Sequence, residues 1–454
     1  VRPRFPPTQQ DYFPLRGGLD LVSPRITLDP GRVFDAQNYE PYPAGGYRRI
    51  DGFECFDGRP APSQASYWYL PATITGTVTD GATLTGATSG ATGKVLASDS
   101  DAGVIVLGRV SGTFSNGEAL TITAVTVATA TGASSENGAL DPEDHADWRL
   151  LAADDRRADI AAVPGDGDVT GGFVYQDVCY VFRDNASTSR LYKQTAAGWV
   201  QVTFGRELQF TGATAQISAG QTVTGATSGA SAVVVRALLR TGTWTVSGAG
   251  TLVFASVTGT FQNGENVQIG GLTKVVANGA DTAIARVSGG KVETVLANFT
   301  GSTDTKRIYG ADGANLAFEF DGTTYVPIRT GMATDTPRHV AFHKARLFLS
   351  FLGALQYSSV TDPYGYTLLT GANEIGMGDV ITGLRVLGGN ASGAALGVFT
   401  QGKTSILYGS TNSDFVLTPS KDEIGFEEWS LQSVGNDVFG LTSNGIQSLA
   451  ATQA

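Results

Sequence analysis

Five stretches of this chain read as β-hairpins whose strands are apolar on both faces: "GGFVYQDVCYVFRDN" (171–185), "NLAFEFDGTTYVPI" (315–328), "KARLFLSFLGALQYS" (344–358), "GAALGVFTQGKTSILYGS" (393–410) and "NDVFGLTSNGIQSLA" (436–450). In the first, Val178, Tyr180 and Phe182 lie on one face, Cys179 and Val181 on the other. A strand apolar on both faces has to be covered from both sides. Asp321–Gly322 and Asn444–Gly445 stand where hairpin tips belong, because both residue types accept the positive φ of tight hairpin turns. Sheets stacked face to face satisfy this pattern, as in a β-propeller. A β-sandwich with elaborations satisfies it too.

The composition agrees with an all-β chain. Gly occurs 59 times and charged residues make up only 16%. No amphipathic helix of four turns is evident, and "DHADWRLLAADDRRADIAAV" (144–163) reads as one or two helical turns at most. That argues against Rossmann-type and barrel enzymes, whose parallel sheets need crossover helices. A net charge of −11 disfavours a protein that grips nucleic acid through phosphates. No apolar run approaches the ~20 residues of a membrane span, and "VRPRFPPTQQ" lacks the apolar segment of a secretory signal. Cys55 and Cys179 read as two buried free thiols in preference to one disulfide.

One heptapeptide occurs twice. "TGATSGA" stands at 85–91 and at 224–230, followed by "VSGTFSNGE" (110–118) and "VTGTFQNGE" (257–265). A duplicated β module explains the echo, with "RTGTWTVSGAG" (240–250) as an insertion in the second copy. The expected organisation is an extended arm with first strands at 1–71 and a small sandwich- or barrel-like module at 72–134. Propeller-like body follows at 135–206, the second module at 207–284, and body again at 285–454. The modules are expected to sit in hairpin loops of the body, since a small domain with close termini is tolerated there.

Little in the chain suggests catalysis. His339 and His343 in "RHVAFHK" share a strand face, and partly exposed histidines are expected there in preference to metal ligands. Asp166 and Asp168 in "PGDGDVTGG" lack the later ligands of a calcium loop, so a Gly-rich turn is expected. "DPEDHADW" brings His145 among acids, but no nucleophile elbow accompanies it. "GATSGATG" lacks the lysine of a phosphate loop. The reading is a non-enzyme without cofactor or metal.

Two segments carry a resemblance. The arm "DYFPLRGGLDLVSPRITLDPGRVFDAQNYEPYPAGGYRRIDGFE" resembles the N-terminal region of tail structural proteins of double-stranded-DNA bacteriophages, through Gly17, Gly18, Asn38, Tyr39, Gly46, Arg48, Arg49, Gly52 and Phe53. Residues 322–366 are similar to a blade motif of phage tail nozzle and hub proteins, through Pro337, Val340, His343, Lys344, Arg346, Leu347 and Phe348, then Ser358, Asp362 and Pro363. The twin modules look like repeats inserted into many virion proteins. The resemblance implies a propeller-containing virion protein that forms a homo-oligomeric ring, expected to be hexameric. It would contact other tail proteins, and DNA would pass without specific binding. The chain stops after a hairpin at "NGIQSLAATQA" with no closing strand visible, so the expectation is a longer natural chain or a strand supplied by the arm.

Two structural expectations complete the reading. Arg346, charged within an apolar strand, needs a partner, and Asp362 is the candidate. The arm aromatics Tyr12, Phe13, Tyr39, Tyr47 and Phe53 are candidates for the assembly interface. The competing functions are a host-surface glycan or receptor binder acting through the modules, and a polysaccharide-degrading enzyme. The first module offers only Phe114 for stacking on sugars, the second Phe210, Trp244, Phe254 and Phe261.

Overall fold

The computed structural model describes residues 20, 23–29, 31–35, 38–41, 46–49, 56–58, 65–138, 142–302, 305–388, 395–420 and 424–449. The chain forms two compact units, Val1–Phe56 with Pro60–Asp159, and Asp57–Arg59 with Ile160–Ala454.

The first unit holds the first module. Its strands are Trp68–Ile74, Thr83–Gly86, Thr92–Asp99, Val104–Ser111, Ala119–Ile122, Val125–Ala130 and Ser135–Glu136. Trp68–Ile74 pairs with Val104–Ser111 on one side (Trp68 opposite Leu107) and with Val125–Ala130 on the other (Ala72 opposite Ala130), which closes the sheet into an antiparallel barrel. Closure leaves no unpaired edge. Leu70, Leu84, Val95, Ile105, Leu107, Phe114 and Leu120 fill the interior. The sheet runs over 68–136, starting before the expected position 72.

After the barrel comes a helix, Pro142–Arg157, of 16 residues. It is longer than the one or two turns expected from the sequence. Its ends carry the right signals: Pro142 at the first helical position, Glu143 and Asp144 in the first turn, Arg156 and Arg157 in the last. Its apolar face is thin, which hid it. Ala152 and Trp148 pack on Tyr67, Tyr69, Val104 and Val106 of the barrel. Asp155 on the same face pairs with Lys94 and Arg109.

In the second unit, the second module repeats the barrel with strands Arg206–Ala213, Thr222–Gly225, Ser231–Thr243, Val246–Phe254, Asn266–Ile269, Leu272–Ala277 and Thr282–Ala283 in the same sheet order. It too closes, through Arg206 opposite Phe254 and Phe210 opposite Ala277. The inserted residues lengthen one hairpin, Ser231–Thr243 with Val246–Phe254, and Trp244 near its tip stacks on Phe210 at 5.4 Å.

The body of this unit is a five-bladed β-propeller arrangement of antiparallel meanders. The first blade is Val169–Tyr175, Val178–Asn185, Thr188–Thr195 and Gly198–Gln201, and the second is Glu293–Asn298, Lys306–Ala311, Ala317–Phe320 and Tyr325–Ile328. The third is Val340–His343, Arg346–Phe351, Ala354–Tyr357 and Asn373–Gly376, and the fourth is Ile381–Val386, Leu396–Thr400, Thr404–Tyr408 and Val416–Pro419. The fifth has three strands, Gln432–Val434, Asp437–Thr442 and Gly445–Ser448.

Successive blades share cores, and this is why their strands are apolar on both faces. Phe182 and Leu191 of the first meet Phe318 and Phe320 of the second. Tyr309 and Ile328 meet Leu347 and Leu349 of the third. Phe348 and Tyr357 meet Leu384 and Leu396 of the fourth, whose Phe399 meets Leu431 and Val438 at the fifth. The hairpin in "HKAR" turns on Lys344 and Ala345 with φ of 48° and 54°, the primed turn that suits strand twist.

The modules do not occupy hairpin loops. The first precedes all five blades and belongs to the other compact unit. The second lies in the connection from the first blade, ending at Gln201, to the second, starting at Glu293. It is also docked on the body. Leu238 and Val253 join the core between the first two blades. Arg236 bonds Glu319 at 3.0 Å and Asp321 at 2.7 Å, and Arg329 bonds Glu207 at 2.8 Å.

Candidate functional site

Arg346 is buried in its strand, as expected of a charge that needs partners, but Asp362 is not one of them. Its guanidinium donates to the carbonyls of Ser358 (2.6 Å) and Gly371 (2.8 Å) and lies over the Tyr357 ring at 5.2 Å. Asp362 instead accepts the N–H of Tyr364 at 2.9 Å and shapes its own turn. Backbone carbonyls answered the charge, and no sequence pattern marks them.

The two histidines are buried, not partly exposed: His339 and His343 keep 1% and 3% of their surface. Burial, with Lys344 nearby, lowers the His343 pKa to about 4, so the ring is neutral at physiological pH. Asp166 caps the Ala186 N–H at 2.7 Å, a turn role. His145 bonds the Tyr67 hydroxyl at 2.7 Å. Cys179 is a free, half-buried thiol whose pKa burial pushes up. Among the described residues no cluster of three His, Cys, Asp or Glu side chains could hold a metal ion. Tyr39 is exposed in the short strand Tyr39–Pro41, and the Tyr47 hydroxyl reaches the Gly31 carbonyl at 3.5 Å. Tyr12, Phe13, Phe53 and Cys55 lie outside the described residues.

His339 stands in a charge cluster at the propeller axis, where the first strands of the second, third and fourth blades lie side by side. Its Nδ1 is 2.9 Å from Glu293 and its Nε2 is 3.1 Å from Glu428. Arg385 donates to Glu293 at 2.6 Å, and Arg338 donates to Glu428 at 2.6 Å. Trp429 packs at a tilt against His339, ring centres 4.8 Å apart, and receives Lys291 on its ring, also at 4.8 Å. Burial pushes the Glu293 carboxyl up, but the His339 hydrogen bond and the Arg385 charge outweigh it and hold the pKa below the ordinary value. Each acid carries a basic partner, Glu293 with Arg385 and Glu428 with Arg338. The cluster therefore clasps three blades to the segment leading into the fifth. Glu293, Arg385 and Glu428 escaped sequence reasoning because they are far apart in the chain. The available signal was slight: Arg385 is a lone charge in an apolar stretch, "GLRVL", whereas Glu293 and Glu428 have a charged residue close by in sequence.

The repeated heptapeptide has its explanation inside each barrel. Glu118 of "NGE" accepts the N–H groups of Thr88 (3.1 Å), Ser89 (2.9 Å) and Ser115 (2.5 Å), and the Ser89 hydroxyl (2.8 Å). Glu265 repeats this with Thr227 (3.0 Å), Ser228 (2.9 Å), Gln262 (2.6 Å) and the Ser228 hydroxyl (2.8 Å). Burial alone would raise both carboxyls. The donors outweigh it and depress both pKa values. Glycine opens the heptapeptide turn for a steric reason: a Cβ on Gly86 would come within 2.5 Å of the Ser89 hydroxyl and 2.6 Å of the Glu118 carboxylate.

No protein-family profile matches this chain. No curated protein matches it either. Among solved structures, the chain is similar to BBS1N in complex with ARL6DN. The crystal soaked with lead gives 9% identity and a TM-score of 0.25, covering 64% of this chain and 93% of that one. The crystal soaked with mercury gives 10% identity and a TM-score of 0.26, covering 84% and 93%. Likeness at this level carries no weight, and the propeller assignment rests on the sheets and shared cores described above.

Proposed function

We propose that this chain is a structural, non-catalytic component of a bacteriophage tail of the nozzle or hub type. In this reading it assembles with copies of itself into a hexameric ring in the virion, joins other tail proteins, and lets DNA pass at ejection. The observation that carries the reading is the place of the tail-protein motif: Val340, His343, Arg346, Leu347 and Phe348 are all buried in the first hairpin of the third blade. The motif thus falls on a blade, in a chain that also carries two virion-type modules. The net charge of −11 suits a wall that DNA slides past. No helix among the described residues is long and apolar enough to cross a membrane.

The test is electron microscopy with light scattering on the purified chain. Rings with a central hole are expected, and removal of residues 1–30 should leave a folded body that no longer forms them. A monodisperse monomer at all concentrations overturns the ring. An unchanged oligomer after the truncation removes the arm, with Tyr12, Phe13 and their neighbours, as its assembly element.

A further inference from the structure

Where the second barrel meets the second and third blades, a cavity of 180 Å³ is lined by Arg236, Arg307, Glu319, Tyr364, Thr305 and Thr361. Its floor is a buried network. Glu319 accepts the hydroxyls of Tyr309 (2.9 Å) and Tyr364 (2.5 Å) and the guanidinium of Arg236 (3.0 Å). Burial and the neighbouring carboxylate push both phenol pKa values far up, so both remain hydroxyls. Each phenol oxygen that donates to Glu319 can still accept. The buried Nε of Arg236 finds no acceptor among the described residues. On the rim, Thr361 holds φ of 59°, fixed by its N–H to the Ala345 carbonyl at 2.8 Å. That conformation is a genuine outlier for a β-branched residue, and such strain concentrates at ligand sites.

We propose that this cavity binds one ring of an uncharged sugar. The two arginines are balanced by Glu319 and by Asp321, which also bonds Arg236 at 2.7 Å, so an anion gains no net attraction. Guanidinium and threonine donors stand beside phenol and threonine acceptors around the cleft, which suits hydroxyls that both give and accept. Phe299 and Pro363 supply an apolar wall. The cleft, of 180 Å³, is large enough to seat one ring. The site belongs to the seam and not to the aromatic-poor module surfaces, and it is independent of the tail reading.

The experiment uses the full chain with methyl glucoside, methyl galactoside, methyl mannoside and methyl glucuronide, followed by saturation-transfer NMR and titration. At least one neutral glycoside should bind with Kd on the order of 1 mM. Arg307→Gln should weaken it about tenfold, near 1.4 kcal/mol. Thr361→Gly, which removes a hydroxyl and relieves the strained φ, should weaken it several-fold without lowering the melting temperature. A surface coated with oligosaccharide distinguishes the two sources of such a ring: binding there as well assigns a glycan chain end, and binding of the free glycoside alone assigns a free sugar. No saturable binding of any neutral glycoside overturns the proposal. So does binding of the glucuronide alone, or binding that both variants leave unchanged.

Discussion

Replacing Glu265 by Gln tests the reason the heptapeptide is repeated. The change keeps shape and volume. One side-chain oxygen can still serve Gln262 and the Ser228 hydroxyl, but the new NH2 faces the N–H groups of Thr227 and Ser228, or the reverse. Two donors lose their acceptor, at roughly 1–3 kcal/mol each, so the second barrel should lose about 4 kcal/mol. Hydrogen exchange read by mass spectrometry resolves this barrel from its twin. Peptides from 204–285 should exchange roughly a thousandfold faster, since each 1.36 kcal/mol is tenfold. Peptides from 66–138, with Glu118 intact, are the internal control. The pH dependence has a fixed sign. A carboxyl with a depressed pKa in the folded state gives its full stabilisation above the unfolded value, about 4.3. It gives that up as pH falls through the lower folded value. The deficit of the variant should therefore be constant at neutral pH and shrink in acid. A loss below about 1 kcal/mol at pH 7 would refute the claim that the carboxylate organises the turn.

Three further outcomes follow from buried ionisable groups. Arg286 is sealed between the first two blades, bonded to Asp312 at 2.5 Å and lying over the Phe182 ring at 4.8 Å; Arg286→Met should cost about 3–5 kcal/mol in urea unfolding by stranding Asp312. His343 titrates at about 4 when folded against an ordinary 6.5, so the unfolded chain takes up its proton first and stability should fall by about 3 kcal/mol between pH 6.5 and 4. His343→Leu should flatten that part of the pH–stability curve, and an unchanged slope counts against a neutral buried ring. Arg346→Ala should cost about 2–3 kcal/mol, because the Ser358 and Gly371 carbonyls lose a charged donor. A double-mutant cycle with Asp362→Asn should show coupling near zero, and coupling above about 1 kcal/mol would restore the pair.

Strand pattern carried the fold in the sequence because each blade is buried on two faces, and residues such as Phe182 and Phe348 record that locally. The barrels were legible through their duplication, and the long hairpin through the extra residues around Trp244. Three things were not legible. The helix at 142–157 buries small residues, Ala152 and Ala153, so its periodic signal is weak. The position of the second barrel between blades depends on which strands pair, and both connections look like loops in sequence. The axial clasp and the sugar-sized cavity are assembled from positions as distant as Glu293 and Glu428, or Arg236 and Thr361. Only stacking of the blades brings such side chains together.

The second barrel closes with its entry and exit beside each other, Arg206 directly opposite Ala283. This has a consequence for the order of folding. The first and second blades share a core although a whole barrel separates them in sequence, and contacts of such separation are slow to form because chain entropy is lost before they gain anything. A barrel that folds first removes that delay. It pins its two ends a strand spacing apart, and the search between Gln201 and Glu293 becomes that of a short linker. The duplicated module then acts as a folding clamp, and the propeller should assemble outward from the seam where that clamp is docked.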